Sequence, residues 1–372
     1  MGQSVGDRGA RNAMKGGSTL ARPLMLTSMC IGFGVVQLDV TIVNTALESI
    51  GSSFGGAISG LQWIVNTYTI CFAALILTAG ALGDRLGAKK VFVSGFGVFT
   101  AASLAAALAP SAALLVAARG LQGLGAALLV PNSLALLRHA YPDDKDRGRA
   151  VGIWAAGASL ALTAGPVAGG GLIALVGWRS IFLVNVPLGL TGLWLAWRFA
   201  RETPRAPGRR LDLPGQLAAI SALGCVAFAL IEAGTSGWGS VRVVAGFAAS
   251  AMATTLFVLQ ERRETQPMLP LSLFGQPLFT AATVVGVLAN TAFYGLIFVF
   301  SLYFQEVQGL SALLTGVAFL PMIGMILPFN LLAAPIAERI GGPTTIVVGL
   351  AISALGCTLL LGIGPDSRYA SL

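Results

Sequence analysis

"GALGDRLGAKK", residues 80–90, sets how this chain is to be read. It holds an acid, Asp84, three basic residues, Arg85, Lys89 and Lys90, and three glycines, Gly80, Gly83 and Gly87. The segments on either side, 60–82 and 91–109, contain no Asp, Glu, Lys or Arg at all. A helix needs about 20 apolar residues to cross a bilayer. A short charged turn between two such runs therefore reads as a loop joining two membrane-crossing helices.

Working outward, nine further apolar runs appear, at 24–46, 112–137, 150–176, 180–200, 213–233, 241–260, 277–304, 310–332 and 343–364. With the first two they make eleven. Composition agrees: of 372 residues 55% are hydrophobic and only 10% charged, with a mean hydropathy of +0.81. Soluble domains carry about 25% charged residues, needed to cover their surfaces. The expected fold class is thus an all-α polytopic membrane protein with eleven transmembrane helices, its partner the lipid bilayer.

The opening stretch has an echo. "APIAERIGGP", residues 334–343, follows the tenth run and sets Glu338, Arg339 and Gly341 against Asp84, Arg85 and Gly87. Both loops fall on the same side, so the repeat is parallel, an arrangement found in transporters. Charge gives the orientation. All but four of the 23 lysines and arginines lie in the N-terminal segment and in alternate loops: 85–90, 138–149, 198–210, 262–263 and 339. By the positive-inside rule these are cytoplasmic, and so is the N-terminus. The net charge of +8 is spread over these loops rather than gathered in one patch, which argues against nucleic acid.

Other functions are disfavoured by what the sequence holds. Cys30, Cys71, Cys225 and Cys357 fall inside apolar runs and suggest no disulfide framework. His139 is the only histidine, so neither a histidine-based metal site nor a catalytic triad is expected. No phosphate-binding G-x-x-x-x-G-K-[ST] occurs, so ATP is not the expected energy source. The expectation is a non-enzyme without cofactor or metal.

Several motifs resemble those of the major facilitator superfamily. "GALGDRLGAKK" is similar to its first-loop motif through Gly80, Leu82, Asp84, Arg85, Gly87 and Lys89, with Ala88 where a basic residue is usual. "VAARGLQGLGAAL", 116–128, resembles the fourth-span motif through Arg119, Gln122, Gly123 and Gly125. "ALTAGPVAGG", 161–170, resembles the fifth-span antiporter motif through Gly165, Pro166, Gly169 and Gly170. "LDVTIVNTAL", 38–47, and "WRSIFLVNVPLG", 178–189, resemble the fourteen-span drug:proton antiporter branch.

The resemblance implies a major facilitator fold and a division of the chain. Residues 1–23 are a cytoplasmic tail, 24–200 a six-helix bundle and 201–212 a cytoplasmic loop. Residues 213–260 are two inserted helices and 261–276 a second cytoplasmic loop. Residues 277–364 are a partial C-terminal bundle of three helices, and 365–372 an external tail. Six helices are expected where three stand, so the sequence reads as C-terminally truncated, its missing C-terminal helices needed for a complete transporter. A natural short form and assembly with another chain are the other readings.

The residues that matter most are charges inside apolar runs. Arg119 costs about 2.5–3.5 kcal/mol near a helix centre on insertion scales. It either faces a polar partner or snorkels outward. The resemblance implies a role in proton coupling. Asp39 can bind a proton and become neutral, which suits it to coupling proton flow to conformation; the competing reading is a carboxylate that only orients helices. Gln37, Thr41, Asn44 and Glu48 share one helical face, and Asp39 lies off it, toward a neighbouring helix. Glu232 and Glu306 close their runs and read as interfacial.

Gly157, Ala161, Gly165 and Gly169 recur every four residues and make a smooth stripe for close helix packing. The resemblance implies that this seam limits leak. Gln37, Thr41, Asn44, Tyr68, Asn290, Phe293 and Tyr294 are placed to line a substrate pocket, and Trp63 reads as belt or packing. Gly80, Asp84, Arg85, Gly87, Lys89, Glu338 and Arg339 make up the cytoplasmic loop gate.

The expected function is a proton-coupled secondary transporter that exports small hydrophobic or cationic compounds from the cell, with the proton gradient as energy source. Its expected location is the plasma or inner membrane. The alternatives are a dedicated metabolite exporter or nutrient permease of the same superfamily, or an inactive truncated membrane protein.

Overall fold

The computed structural model describes residues 4–55, 58–205, 212–264, 267 and 269–360. The expected external tail 365–372, the end of the eleventh run from 361, and residues 206–211 of the loop 201–212 lie outside the described residues. No strand occurs among the described residues. Helix is what the composition demands, because only a self-satisfied backbone is tolerated against lipid.

The first half contains α1 (Ser4–Ile42), α2 (Leu47–Phe54), α3 (Ile58–Leu86), α4 (Ala88–Ala107), α5 (Ala112–Ala140), α6 (Asp144–Val176), α7 (Ser180–Leu183) and α8 (Asn185–Phe199). Then come α9 (Leu213–Ser236) and α10 (Val241–Arg263). The last part holds α11 (Pro277–Leu302), α12 (Ala312–Ala318), α13 (Leu320–Gly324), α14 (Ile326–Ile340) and α15 (Gly342–Leu360). Among the described residues ten segments are long and apolar enough to cross a membrane, and each falls on an expected run. The tenth run, 310–332, is present but is not the single helix expected. It is divided among α12, α13 and α14. Pro321 and Pro328 each lack the N–H that would bond to the residue four before, and the breaks at Phe319 and Met325 adjoin them.

Packing in the first half is tight. Met29 and Val36 of α1, Phe92, Phe96 and Phe99 of α4, and Leu129 and Leu136 of α5 form one buried cluster. The fourth-span glycines make this possible. A Cβ on Gly125 would lie 2.7 Å from the backbone nitrogen of Phe99, and one on Gly123 2.4 Å from the carbonyl oxygen of Tyr68. α5 therefore touches α4 and α3 backbone to backbone, which only small residues allow.

The inserted pair leans on α3. Gln216 of α9 is buried, its Nε2 donating to the Ala74 carbonyl at 2.6 Å while its Oε1 accepts from Thr78. α10 packs on α9, where Ser250 donates to the Ala222 carbonyl at 2.9 Å. Toward the chain's end packing thins, and α15 has no buried residue.

The two loops begin at the same kind of helix end, one that Gly177 and Gly237 also form. Gly87 ends α3 with φ +101° and Gly341 ends α14 with φ +86°. Each N–H bonds the carbonyl four residues back, at Gly83 and Ala337. A positive φ is costly for any residue with a Cβ. A Cβ at Gly87 would also stand 2.4 Å from Cδ of Glu202. Gly87→Ala is therefore expected to destabilise by about 1–3 kcal/mol. Gly152→Ala, where a Cβ meets nothing within 4 Å, is expected to be neutral. Thermal unfolding of both variants in detergent checks this.

Candidate functional site

Two charges that the sequence places 80 residues apart meet inside the first bundle. Arg119, near the start of α5, reaches Asp39, near the end of α1, through an Nη1–Oδ2 ion pair. Their exposures are 1% and 0%, so the pair is sealed, and Arg119 does not snorkel outward. Burying two charges costs several kcal/mol per ion unless every donor and acceptor is matched.

The matching is nearly complete. Arg119 Nε donates to the Ile64 carbonyl at 3.1 Å and Nη1 to Gln122 Oε1 at 2.9 Å. Gln122 Nε2 donates to Asp39 Oδ1 at 3.2 Å and to Ser103 Oγ at 2.8 Å. Asn185, the first residue of α8, donates from Nδ2 to Asp39 Oδ1 at 3.1 Å. The guanidinium carbon lies 4.3 Å from the centre of the Tyr68 ring and 5.8 Å from that of the Phe182 ring. Asp39 thus accepts a charged hydrogen bond on one oxygen and two neutral ones on the other, from helices α5 and α8.

The stretch 161–170 packs on the neighbouring part of α1. Pro166 has no N–H, so the carbonyl of Leu162 loses its helix partner. Thr41 of α1 supplies the replacement, donating from Oγ1 to Leu162 O at 3.1 Å. The stripe packs on this same part of α1. A Cβ on Gly165 would stand 3.2 Å from Ile42 N, and one on Gly169 3.2 Å from Ile42 O. Gly157 faces Cys30 of the same helix, and Gly170 is buried. The other side of the motif meets α12, where a Cβ on Gly316 would lie 2.6 Å from the Pro166 carbonyl oxygen. α6 is thus clasped between α1 and a helix of the last part of the chain.

The expected pocket residues separate. Thr41, 1% exposed, sits in the α1–α6 seam, its hydroxyl on the Leu162 carbonyl. Tyr68, also 1% exposed, covers Arg119 and donates to the Val36 carbonyl at 3.3 Å. Asn44 turns back to the Val40 carbonyl at 3.2 Å. Asn290 bonds its own helix at Gly286 and is exposed. Gln37 of α1 and Tyr294 of α11 do come near one another. Phe293 stacks edge-on with Tyr294 at 5.2 Å.

The loop 83–90 is built differently from a bare charge cluster. Glu202 and Thr203, which the sequence reading passed over, cap α4: Lys89 N–H donates to Glu202 Oε1 and Ala88 N–H to Thr203 Oγ1, both at 2.9 Å. A carboxylate at a helix N-terminus is favourable. Gly80 lies beside Pro131 of α5, and Gly83 leaves room for Asn132, whose Nδ2 donates to the Ala79 carbonyl at 3.0 Å. Asp84 is half-buried, while Arg85, Glu338 and Arg339 are exposed. Gln122 and Asn185 stood in quoted motifs, and the signal for each was an amide inside an apolar run.

Residues 29–372 match the sequence profile of the Major Facilitator Superfamily. The chain is 39% identical over 349 residues to the methylenomycin A resistance protein of Bacillus subtilis (strain 168), which covers 94% of this chain and 75% of that protein. It is 36% identical over 331 residues to the tetracenomycin C resistance and export protein of Streptomyces glaucescens, covering 88% of this chain and 61% of that one. Among solved structures, a variant of the peptide transporter POT in complex with sulfate aligns with a TM-score of 0.62 at 18% identity, over 92% of this chain and 74% of its own, which bears on the fold alone.

The seam generates a paired test. Gly165→Leu is expected to cost about 1–3 kcal/mol or more, since a branched side chain must part α6 from α1. Gly171→Leu, on the same helix but facing nothing within 4 Å, is expected to leave stability unchanged. Thr41→Val, which keeps shape but not the bond to Leu162, is expected to lose about 0.6 kcal/mol. Thermal unfolding of the three variants in detergent checks the ranking.

Proposed function

The chain belongs to the Major Facilitator Superfamily, and on that premise we propose that it is a proton-coupled exporter of small hydrophobic or cationic compounds, working by alternating access. The observation that carries this reading is the sealed pair Asp39–Arg119 inside the first bundle. A guanidinium stays charged at any physiological pH, whereas a carboxylate can take up a proton. Protonation of Asp39 removes half of the ion pair, and the packing of α1 against α5 then loses its strongest electrostatic tie. A group that is charged in one state and neutral in another gives a proton gradient purchase on conformation.

Substrate class follows from the neighbourhood and from the relatives. Tyr294 and Phe293 offer aromatic faces where α1 meets α11, with Gln37 beside them. Aromatic faces suit apolar rings and cations. Two relatives carry resistance in their names, and one of these also carries export. The fifth-span motif, with its close-packed seam, favours an antiporter over a permease. The proposed setting is the cell membrane with the N-terminus in the cytoplasm, supported by the basic residues of the alternate loops.

Two measurements test this. Reconstituted protein is expected to drive ethidium, a small hydrophobic cation, against its gradient when a pH gradient is imposed. Asp39→Asn is expected to abolish that accumulation while ethidium binding persists, because the amide keeps the shape and hydrogen bonding but cannot titrate. Accumulation by Asp39→Asn equal to wild type would remove Asp39 from the coupling role. For orientation, single cysteines in 138–149 are expected to resist an impermeant thiol reagent in intact cells, and cysteines in 234–240 to react. Strong outside labelling of 138–149 would reverse the topology.

A further inference from the structure

The stretch "WRSIFLVNVPLG" contributes one polar side chain to the buried site, Asn185, and its two ends are treated differently. Its Nδ2 donates to Asp39 Oδ1 at 3.1 Å. Its Oδ1 is buried and has no hydrogen-bond partner, although the residue is 0% exposed. An unmatched buried carbonyl is costly, and such a group in a native site calls for a reason.

The other amide of the site has no such freedom. Gln122 Oε1 accepts from Arg119, and Nε2 gives its two protons to Asp39 Oδ1 and Ser103 Oγ. Turning it over would set an amide N–H against the guanidinium. Nothing pins Asn185 in this way, because only one of its ends is engaged. An amide can turn by half a revolution and exchange donor for acceptor.

Protonation of Asp39 calls for that exchange. Oδ2 faces the Arg119 cation, so the incoming proton belongs on Oδ1, where both neighbours now donate. Once Oδ1 carries a proton it must donate, and Gln122 still presents nitrogen to it. The acceptor left over in the site is Asn185 Oδ1. The charged and titratable groups facing Asp39 are Arg119 of α5 and, beyond it, Tyr68 of α3, whose ring covers the guanidinium; the residues offered by α4 and α8, Ser103 and Asn185, do not titrate.

We infer that Asn185 is a positioning residue that keeps Asp39 bonded in both protonation states, its Nδ2 donating to the carboxylate and its Oδ1, after the amide turns, accepting from the carboxylic acid. The inference rests on the coupling role proposed for Asp39. No covalent bond of Asn185 changes; the proton comes from water, stays on Asp39 Oδ1 and leaves to water. The unmatched oxygen of the charged state is thus the matched oxygen of the neutral one, and proton uptake does not leave a carboxylic acid without an acceptor in an apolar interior.

The test is infrared difference spectroscopy of the purified protein in lipid between acid and neutral pH, in unlabelled wild type and in protein carrying carbonyl-labelled asparagine. A carboxylic-acid C=O band absent from Asp39→Asn identifies the titration of Asp39. Alongside it, the labelled sample is expected to show an asparagine carbonyl pair, a free-carbonyl band lost and a hydrogen-bonded band gained at lower frequency. Both bands are expected to vanish in Asn185→Leu and in Asp39→Asn. Should Asn185→Leu not fold, Asn185→Ser makes the same assignment. An Asp39 band without the asparagine pair overturns the role of Asn185 and leaves the coupling reading standing. Absence of any Asp39 band overturns the coupling reading itself, and this inference with it.

Discussion

Everything in the first bundle answers to one ion pair. Asp39 and Arg119 are almost wholly buried, and a pair in that position survives only if its remaining hydrogen-bonding capacity is used. The groups that use it come from distant parts of the chain: the Ile64 carbonyl from α3, Gln122 from α5, itself held by Ser103 of α4, and Asn185 from α8. Those helices must close on α1 together, or the charges are left exposed to an apolar interior. The glycines of the fourth-span motif serve that closure. Gly123 and Gly125 let α5 approach α3 and α4 until backbones touch, which carries Arg119 and Gln122 inward with it.

The seam with α6 is a second constraint with the same logic. Pro166 creates an unpaired carbonyl at Leu162, and Thr41 fills it from the neighbouring helix. A defect in one helix becomes a bond between two. Thr41 lies two residues beyond Asp39, so the same segment of α1 is fixed on one side by the ion pair and on another by the proline-edged seam. The far side of Pro166 receives Gly316 of α12. Contiguous packing therefore runs from the buried carboxylate through α6 to the last part of the chain.

How much of this was legible in the sequence depends on whether the signal was local. The apolar runs, the charged loop at 80–90 and its echo at 334–343 are local patterns, and the long helices among the described residues fall where those patterns put them. Helical spacing also set Asp39 apart from Gln37 and Thr41, toward a neighbouring helix. The same spacing says nothing of the carbonyl on α6 that takes the hydroxyl of Thr41. It extended to Asn44 a face that does not exist there: α1 ends at Ile42 and a 3-10 turn follows at Asn44–Ala46. The tenth run looked continuous by hydropathy, yet its prolines divide it. The partnership of Asn185 with Asp39 spans 146 residues and leaves no periodic trace. A lone amide in an apolar run marks that something needs it, and only the fold says what.

The arrangement of α1 explains why a carboxylate placed there suits an alternating cycle. Gln37 and Asp39 are two residues apart, about 200° around an α-helix. Gln37 lies near Tyr294 on α11, while Asp39 bonds α5 and α8. One short segment thus contacts the last part of the chain with one face and the sealed charge network with the other. A shift of α1 that follows loss of charge at Asp39 carries Gln37 with it, because a helix turn is stiff over two residues. On the proposed function, the protonated and charged forms then differ at the aromatic face beside Tyr294 without the proton and the exported compound sharing a site.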